Sequence, residues 1–552
     1  MDVIKTILII TIGVIAYYLL LQWPSVNDDQ RVYAETQSPV EISISGSEDL
    51  LSPMEPANKS SALNSIKPLQ KKIYSNQIIV ENDVLKLTID GASGRIITSD
   101  LKDIKTEKGG DIPFQIFGNM RDKDDQNKVN SYFANSGFFT ASKGYLKPNY
   151  SLTNSYSDES GLTVFELEGL GDGLKYKRII TMQEGLYSVV LEDTVEGFLE
   201  DTQIEVTPYV VIERGDQQTE EGGLAYTYLG PVFSTTNERF KKYDFGDIDD
   251  EFFKESSQGG WVSLLQHYFV SAWIPEQEGS YLYQGRKSTN TGRYSVGYTG
   301  ASQPLSVYSQ LIRQKNTLYV GPKLPNQLKE VHPDLDLVVD YGFLWWMGKP
   351  MYWLLNAGHD LFKNWGLAII FLTILLKILT WPLSAAAYKS MGKMRLLQPK
   401  MIALQAQHGD DKQKQGQAMM EFYKKEGVNP LGGCLPMLVQ MPFFLAFYWV
   451  LMETVELRHS PFIFWIDDLS VKDPWFVLPL LNAAGMYFSQ KLTPTPANAD
   501  PMQAQMMKYF PLVFALIFAW FPAGLVLYWL FNMLVTLIQQ TWYYRKVARS
   551  TQ

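Results

Sequence analysis

The hydrophobic positions of this chain follow two different rhythms. From about Asn76 to Pro333 apolar and polar residues alternate in short runs. Leu85, Leu87 and Ile89 interleave with Lys86, Thr88 and Asp90, and Gly91 to Gly94 supplies a turn before Ile96 and Ile97. Similar runs recur at 162–167, 175–182, 187–194, 204–212 and 261–274, with Gly and Asn between them. A period of two is that of a strand with one buried face, so the region 76–335 is predicted to be a large antiparallel β-sandwich.

The other rhythm is one of long apolar runs. Residues 3–21 form a stretch long enough to cross a bilayer, and no A-x-A cleavage pattern follows, so 1–23 reads as an uncleaved signal anchor. Residues 24–75, rich in Ser, Pro, Asn and Glu without periodicity, read as a linker. After the sandwich, 337–347 (LVVDYGFLWWM) carries aromatic residues suited to the headgroup level, and 336–364 reads as an interfacial amphipathic segment. His359, Asp360 and Lys363 keep the first half of the run 351–383 out of the bilayer and leave 365–383 as a crossing. Further crossings are predicted at 431–452, 475–489, 509–521 and 525–542, within a segment 429–544. The runs 475–489 and 509–521 are short, roughly 20 to 23 Å as helix. The fold expected is a multi-pass α-helical membrane protein with six transmembrane helices and a large exported antiparallel β-sandwich domain.

Charge sets the orientation. Residues 24–345 hold 46 acidic against 30 basic side chains, and the remainder holds 12 against 19. Loop 384–428 has eight Lys and Arg against four acids, whereas 456–473 has two against four. Cytoplasmic loops accumulate Lys and Arg, so 384–428 is expected inside, the sandwich outside and both termini in the cytoplasm. In a two-membrane bacterium that location is the inner membrane with a periplasmic domain. The acids Asp247, Asp249, Asp250 and Glu251 are expected on a solvated face.

Within the crossing 365–383 lies one charge, Lys377. A lysine at mid-membrane costs about 2.5 to 3.5 kcal/mol on insertion scales, which marks it as a candidate functional residue. Thr373, Thr380 and Trp381 share its helical face. Six residues, roughly 9 Å, separate it from Leu383, so snorkelling to the cytoplasmic surface is the competing explanation.

Several chemistries are excluded. The single cysteine, Cys434, rules out an internal disulfide and lies among apolar residues. The five histidines show no metal-ligand spacing, and the chain has no G-x-x-x-x-G-K-[ST], G-x-S-x-G or H-E-x-x-H pattern and no nucleic-acid motif. No cofactor and no enzymatic activity are expected. The cytoplasmic loop reads as a helical hairpin, about 388–407 and 411–426, stopped by Gly427. Along it Met391, Met394, Met401, Met419 and Met420 offer polarisable side chains either to passing apolar segments or to packing between the two helices.

The stretches Asn429-Pro430-Leu431-Gly432-Gly433-Cys434, Gln440-Met441-Pro442, Asp500-Pro501-Met502 and Phe521-Pro522-Ala523-Gly524-Leu525-Val526-Leu527-Tyr528-Trp529, in that order and spacing, resemble the YidC-type membrane protein insertases of bacteria, relatives of the Oxa and Alb proteins. The signal anchor and exported domain resemble the Gram-negative branch. The resemblance implies a five-helix core enclosing a hydrophilic groove, with nascent membrane proteins as substrates and the bilayer and a Sec-type translocon as partners. It places Lys377, Thr373, Phe444, Tyr528, Trp529 and Gln440 at the groove. Relatives usually carry Arg at the position of Lys377, a change that keeps the charge and loses the bidentate fork, and Trp529 stands where Tyr is commoner. The basic tail 545–552 is shorter than the ribosome-contacting tails of several relatives, which weakens that contact. A secondary transporter with Lys377 as substrate or proton site is the alternative, against which the chain lacks paired Gly/Pro-broken helices. The exported domain could also be an anchored module that binds sugars or peptides.

Overall fold

The computed structural model describes residues 76–550 apart from 122–128, 198–202, 216–227, 289–290, 307–310, 409–411, 428–434 and 493–500. The expectations for the signal anchor, the linker, Cys434 and the motif 429–434 lie outside those residues. The chain divides into two compact units, with the division between Val339 and Asp340.

The first unit is a β-sandwich of two antiparallel sheets. The larger runs through Gln77–Glu81, Leu85–Asp90, Ile96–Lys105, Val129–Thr140, Gln203–Arg214, Tyr294–Thr299, Ser280–Lys287 and Phe253–Gln258. The smaller is centred on Ile312–Pro322, paired on one side with Ser188–Gly197 and on the other with Phe269–Pro275. Period-two patterning works as expected: in Leu174–Gln183 the buried positions are Leu174, Tyr176, Arg178, Ile180 and Met182. The charged member of that row, Arg178, is opposite Asp193 in register. Arg178 Nε donates to Asp193 Oδ1 at 2.5 Å, Nη1 to the Gly94 carbonyl at 2.6 Å and Nη2 to the Ser136 carbonyl at 2.8 Å. Ser136 belongs to the other sheet and Gly94 to the turn between two of its strands, so this buried pair also bridges the two layers.

One expectation for this unit is corrected. The run 261–274 is not one strand but two, Trp261–Leu265 and Phe269–Pro275, with Gln266 N donating to the Phe269 carbonyl between them. Both strands are buried on both faces and the polar turn residues Gln266 and His267 are buried as well, so no exposed position marks the turn. The acidic residues Asp247, Asp249, Asp250 and Glu251 are all exposed, as expected of a solvated face. Helix α1, Phe245–Asp250, starts with a capping box between Asp244 and Asp247, and Asp249 takes hydrogen bonds from Lys287 and Tyr294. Helix α2, Pro325–Val331, follows the last strand.

The second unit is helical: α3 Trp345–Phe362, α4 Trp365–Leu379, α5 Trp381–His408, α6 Lys412–Glu426, α7 Leu435–Glu453, α8 Val477–Leu492, α9 Pro501–Phe518 and α10 Ala523–Ser550. Lys363, in the left-handed region at φ 51, ends α3, and Asn364 caps α4 by accepting from Leu367 N at 3.0 Å. The amphipathic stretch and the apolar one are thus separate helices. Tyr352 on α3 donates to Glu456 Oε1 at 2.6 Å, tying this helix to the segment after α7.

The crossing expected at 365–383 ends instead at Leu379. Pro382 sits in the first turn of α5, where its missing N–H costs nothing, and the axis turns by 70° between Trp365–Leu379 and Ser384–Leu404. The run expected at 509–521 is the second half of a longer helix that begins at Pro501. The basic tail is no separate segment as far as Ser550, because α10 runs through it. Among the described residues only Ala523–Lys546 is by itself long and apolar enough to cross a bilayer, and Trp365–Leu379 with Ser384–Leu404 qualifies as a bent pair. Apolar side chains face outward on several helices, among them Leu367 and Ile378 of α4, Leu512 and Leu516 of α9 and Ile538 of α10. Such surfaces are stable in lipid and costly in water.

Candidate functional site

Helix α4 buries one stripe, Ala368, Ile369, Leu372, Thr373, Leu376 and Lys377, and turns Ile374 and Ile378 outward. Thr373 returns its hydroxyl to its own helix, donating its one hydrogen to the Ile369 carbonyl at 2.7 Å. Lys377 is only 5% exposed. Its ammonium points inward, donating to Thr536 Oγ1 at 3.0 Å and to Gln440 Oε1 at 3.3 Å. The ammonium is thus held among side chains of α7 and α10 and not left at the surface. Gln440 in turn donates through Nε2 to the Tyr528 hydroxyl at 3.4 Å. Four residues from α4, α7 and α10 therefore form one polar chain, Lys377, Gln440, Tyr528 and Thr536.

An aromatic wall continues from it. Phe444 stacks on Tyr528 with centroids 6.2 Å apart and meets Trp529 edge-on at 4.6 Å. Trp529 also packs against Phe518 of α9 at 5.5 Å. Five of the six groove residues expected from sequence thus share direct contacts, and Thr373 lies one turn from Lys377 on the same buried face.

The charge state of the site is set by what surrounds Lys377. Both acceptors are neutral, and among the described residues no carboxylate pairs with it. A buried cation with neutral partners keeps its field, which an ion pair would quench. Among the described residues no group of His, Cys, Asp or Glu could hold a metal ion.

Sequence reasoning missed Thr536 and its neighbours. Along α10 the polar residues Tyr528, Asn532, Thr536 and Gln540 recur every four positions, which is a stripe readable from spacing alone. Asn532 supplies the carbonyl that receives the Thr536 hydroxyl at 2.8 Å. The hairpin methionines divide. Met391 packs with Tyr388 and Tyr544, Met401 and Met419 are buried, Met394 is half-buried and Met420 is 54% exposed. Of the four methionines assigned to hairpin contacts, only Met394 and Met420 have accessible surface for a passing segment.

Two family models match the chain: the YidC periplasmic domain over residues 77–354 and the 60Kd inner membrane protein over 357–550. A membrane protein insertase YidC of Pseudomonas fluorescens (strain SBW25) is 40% identical, the match covering 100% of this chain and 99% of the relative. One from Azotobacter vinelandii (strain DJ) is 39% identical with 100% of each chain covered. The chain belongs to the YidC family of membrane protein insertases. A solved YidC insertase structure with its first transmembrane domain resolved is 17% identical, at a TM-score of 0.38, covering 84% of this chain and 92% of that one. Membership of the YidC family agrees with the β-sandwich, which coincides with the family's periplasmic domain. The transporter alternative draws no support from these likenesses.

Proposed function

We propose that this protein inserts nascent membrane proteins into the bacterial inner membrane and helps them fold, using Lys377 as the attracting charge of an intramembrane groove. The observation that carries the reading is the ammonium of Lys377, held inside the helical unit by Gln440 and Thr536 with no described carboxylate to quench it.

The energetics close without a nucleotide. A substrate helix of about 20 residues gains about 0.3 to 0.6 kcal/mol per Leu-like residue at the bilayer centre, so partitioning drives the hydrophobic step. The obstacle is the polar segment that must cross first. Lys377 draws acidic residues of that segment toward the groove, and a lysine attracts as a point charge where an arginine would clamp both carboxylate oxygens. Helix α4, at 15 residues, spans roughly 22 Å against a hydrocarbon core of about 30 Å, which favours a thinned bilayer beside the groove. The aromatic wall of Phe444, Tyr528 and Trp529 then gives the substrate helix an apolar flank on its way to lipid.

The reading includes six crossings, both termini in the cytoplasm and the β-sandwich in the periplasm, supported by the loop charges. The domain limits 1–23, 24–75, 76–335, 336–364, 365–383, 384–428, 429–544 and 545–552 belong to it as well, with the helix boundaries amended above. Met394 and Met420 are proposed as first contacts of the cytoplasmic hairpin with substrate. A Sec-type translocon is a proposed partner, and ribosome contact rests on Arg545, Lys546 and Arg549 in the last turns of α10. Photocrosslinkers placed at Thr373, Phe444 and Tyr528 test the path: capture of a stalled nascent chain is expected, and capture of lipid alone contradicts it.

A further inference from the structure

The one hydrogen of the Thr536 hydroxyl is already committed, and that fixes its role. A hydroxyl has one hydrogen to give and two lone pairs to receive. Its hydrogen goes to the Asn532 carbonyl at 2.8 Å, within its own helix. One lone pair receives Lys377 Nζ at 3.0 Å. Thr536 therefore has no hydrogen left to donate to a substrate and meets the lysine as an acceptor.

We infer that Thr536 is the positioning residue that keeps the Lys377 ammonium inside the groove. A lysine side chain is flexible, and its natural tendency near a helix end is to reach for water. Leu379, the end of α4, is only two residues beyond Lys377. Of the two acceptors that oppose this pull, Gln440 is the more distant at 3.3 Å and is also engaged with Tyr528. Thr536 is nearer, and its rotamer is set by the bond to Asn532. Two acceptors occupy two of the three ammonium hydrogens, and the third is available to an arriving carboxylate.

The inference rests on the reading of Lys377 as the groove charge, and the test separates the two. Full-length protein in vesicles is given a single-span substrate with an acidic tail and the same substrate with Asn in place of each acid. Thr536→Val is expected to lower acidic-tail insertion about tenfold, the size of a lost hydrogen bond to a charged group, and to leave the Asn-tail substrate unchanged. Thr536→Ser is expected to restore wild-type insertion. In a Lys377→Gln background Thr536→Val is expected to have no further effect, because a residue acting through the lysine has nothing to act through. Labelling of Lys377 by a water-soluble amine reagent, read by mass spectrometry, is expected to rise several-fold in Thr536→Val as the ammonium moves to water. Equal losses for both tails, or an additive loss in the Lys377→Gln background, assign Thr536 to packing and overturn the inference. Lys377→Gln alone reports on the underlying reading: unchanged acidic-tail insertion there overturns both.

Discussion

Lys377 donates to the side-chain oxygen of Gln440 at 3.3 Å, joining α4 to α7 across 63 positions of sequence. A neutral amide is a suitable neighbour for a charge that must remain available. An acid in its place would form a closed ion pair. Gln440→Leu is expected to reduce insertion of acidic-tailed substrates a few-fold by loosening Lys377 and Tyr528. Gln440→Glu is expected to reduce it more, by roughly tenfold, because the new carboxylate occupies the cation. Protease protection of the translocated tail in vesicles measures both, and a Glu variant more active than the Leu variant would count against an attracting role.

In the β-sandwich, Arg178 and Asp193 are 1% and 0% exposed and supply the bridge between sheets. Removing one partner of such a pair leaves a buried charge uncompensated, so Arg178→Ala and Asp193→Ala are each expected to cost about 3 to 5 kcal/mol of that unit's stability. Replacing both, as Arg178→Met with Asp193→Leu, is expected to cost less than either alone. Hydrogen exchange of strands Leu174–Gln183 and Ser188–Gly197 in the full-length protein reads the difference.

Burial raises the Glu456 carboxyl above the ordinary glutamate range, and the hydrogen bond from Tyr352 only partly opposes it. The folded state therefore binds this proton more tightly than the unfolded state does. The resulting stabilisation is complete below the unfolded value of about 4.3 and is lost as pH rises through the raised folded value. Docking of α3 is expected to loosen over that window. Glu456→Gln removes the titration, so protection of α3 against proteolysis is expected to become independent of pH there while the wild type declines. A parallel decline in both proteins would assign the effect to other groups.

Much of this architecture is legible in the residues, for physical reasons that differ between the units. Alternation such as Leu174, Tyr176, Ile180 and Met182 identifies strands because one face is buried and the other wet, and it fails at Gln266–Tyr268, where strands on both sides of the turn are buried on both faces. Lys377 stands out because a charge in an apolar run is costly wherever it points. Thr536 does not stand out in the same way: a lone threonine in a crossing is common, and only the recurrence of Tyr528, Asn532 and Gln540 at four-residue spacing marks its face. The bend after Leu379 was written in Pro382, but apolarity continuing to Leu383 masked it. For the hairpin methionines composition could not separate Met391, packed on Tyr544, from Met420, open to solvent, because burial there depends on how α5 meets α10.

The most direct test of the central claim compares Lys377→Arg with Lys377→Glu in reconstituted vesicles, using a single-span substrate with an acidic tail. Retention of charge in the arginine variant is expected to keep insertion within about threefold of wild type, and reversal in the glutamate variant to lower it at least about tenfold. Equal insertion by the two variants would contradict an electrostatic role for Lys377.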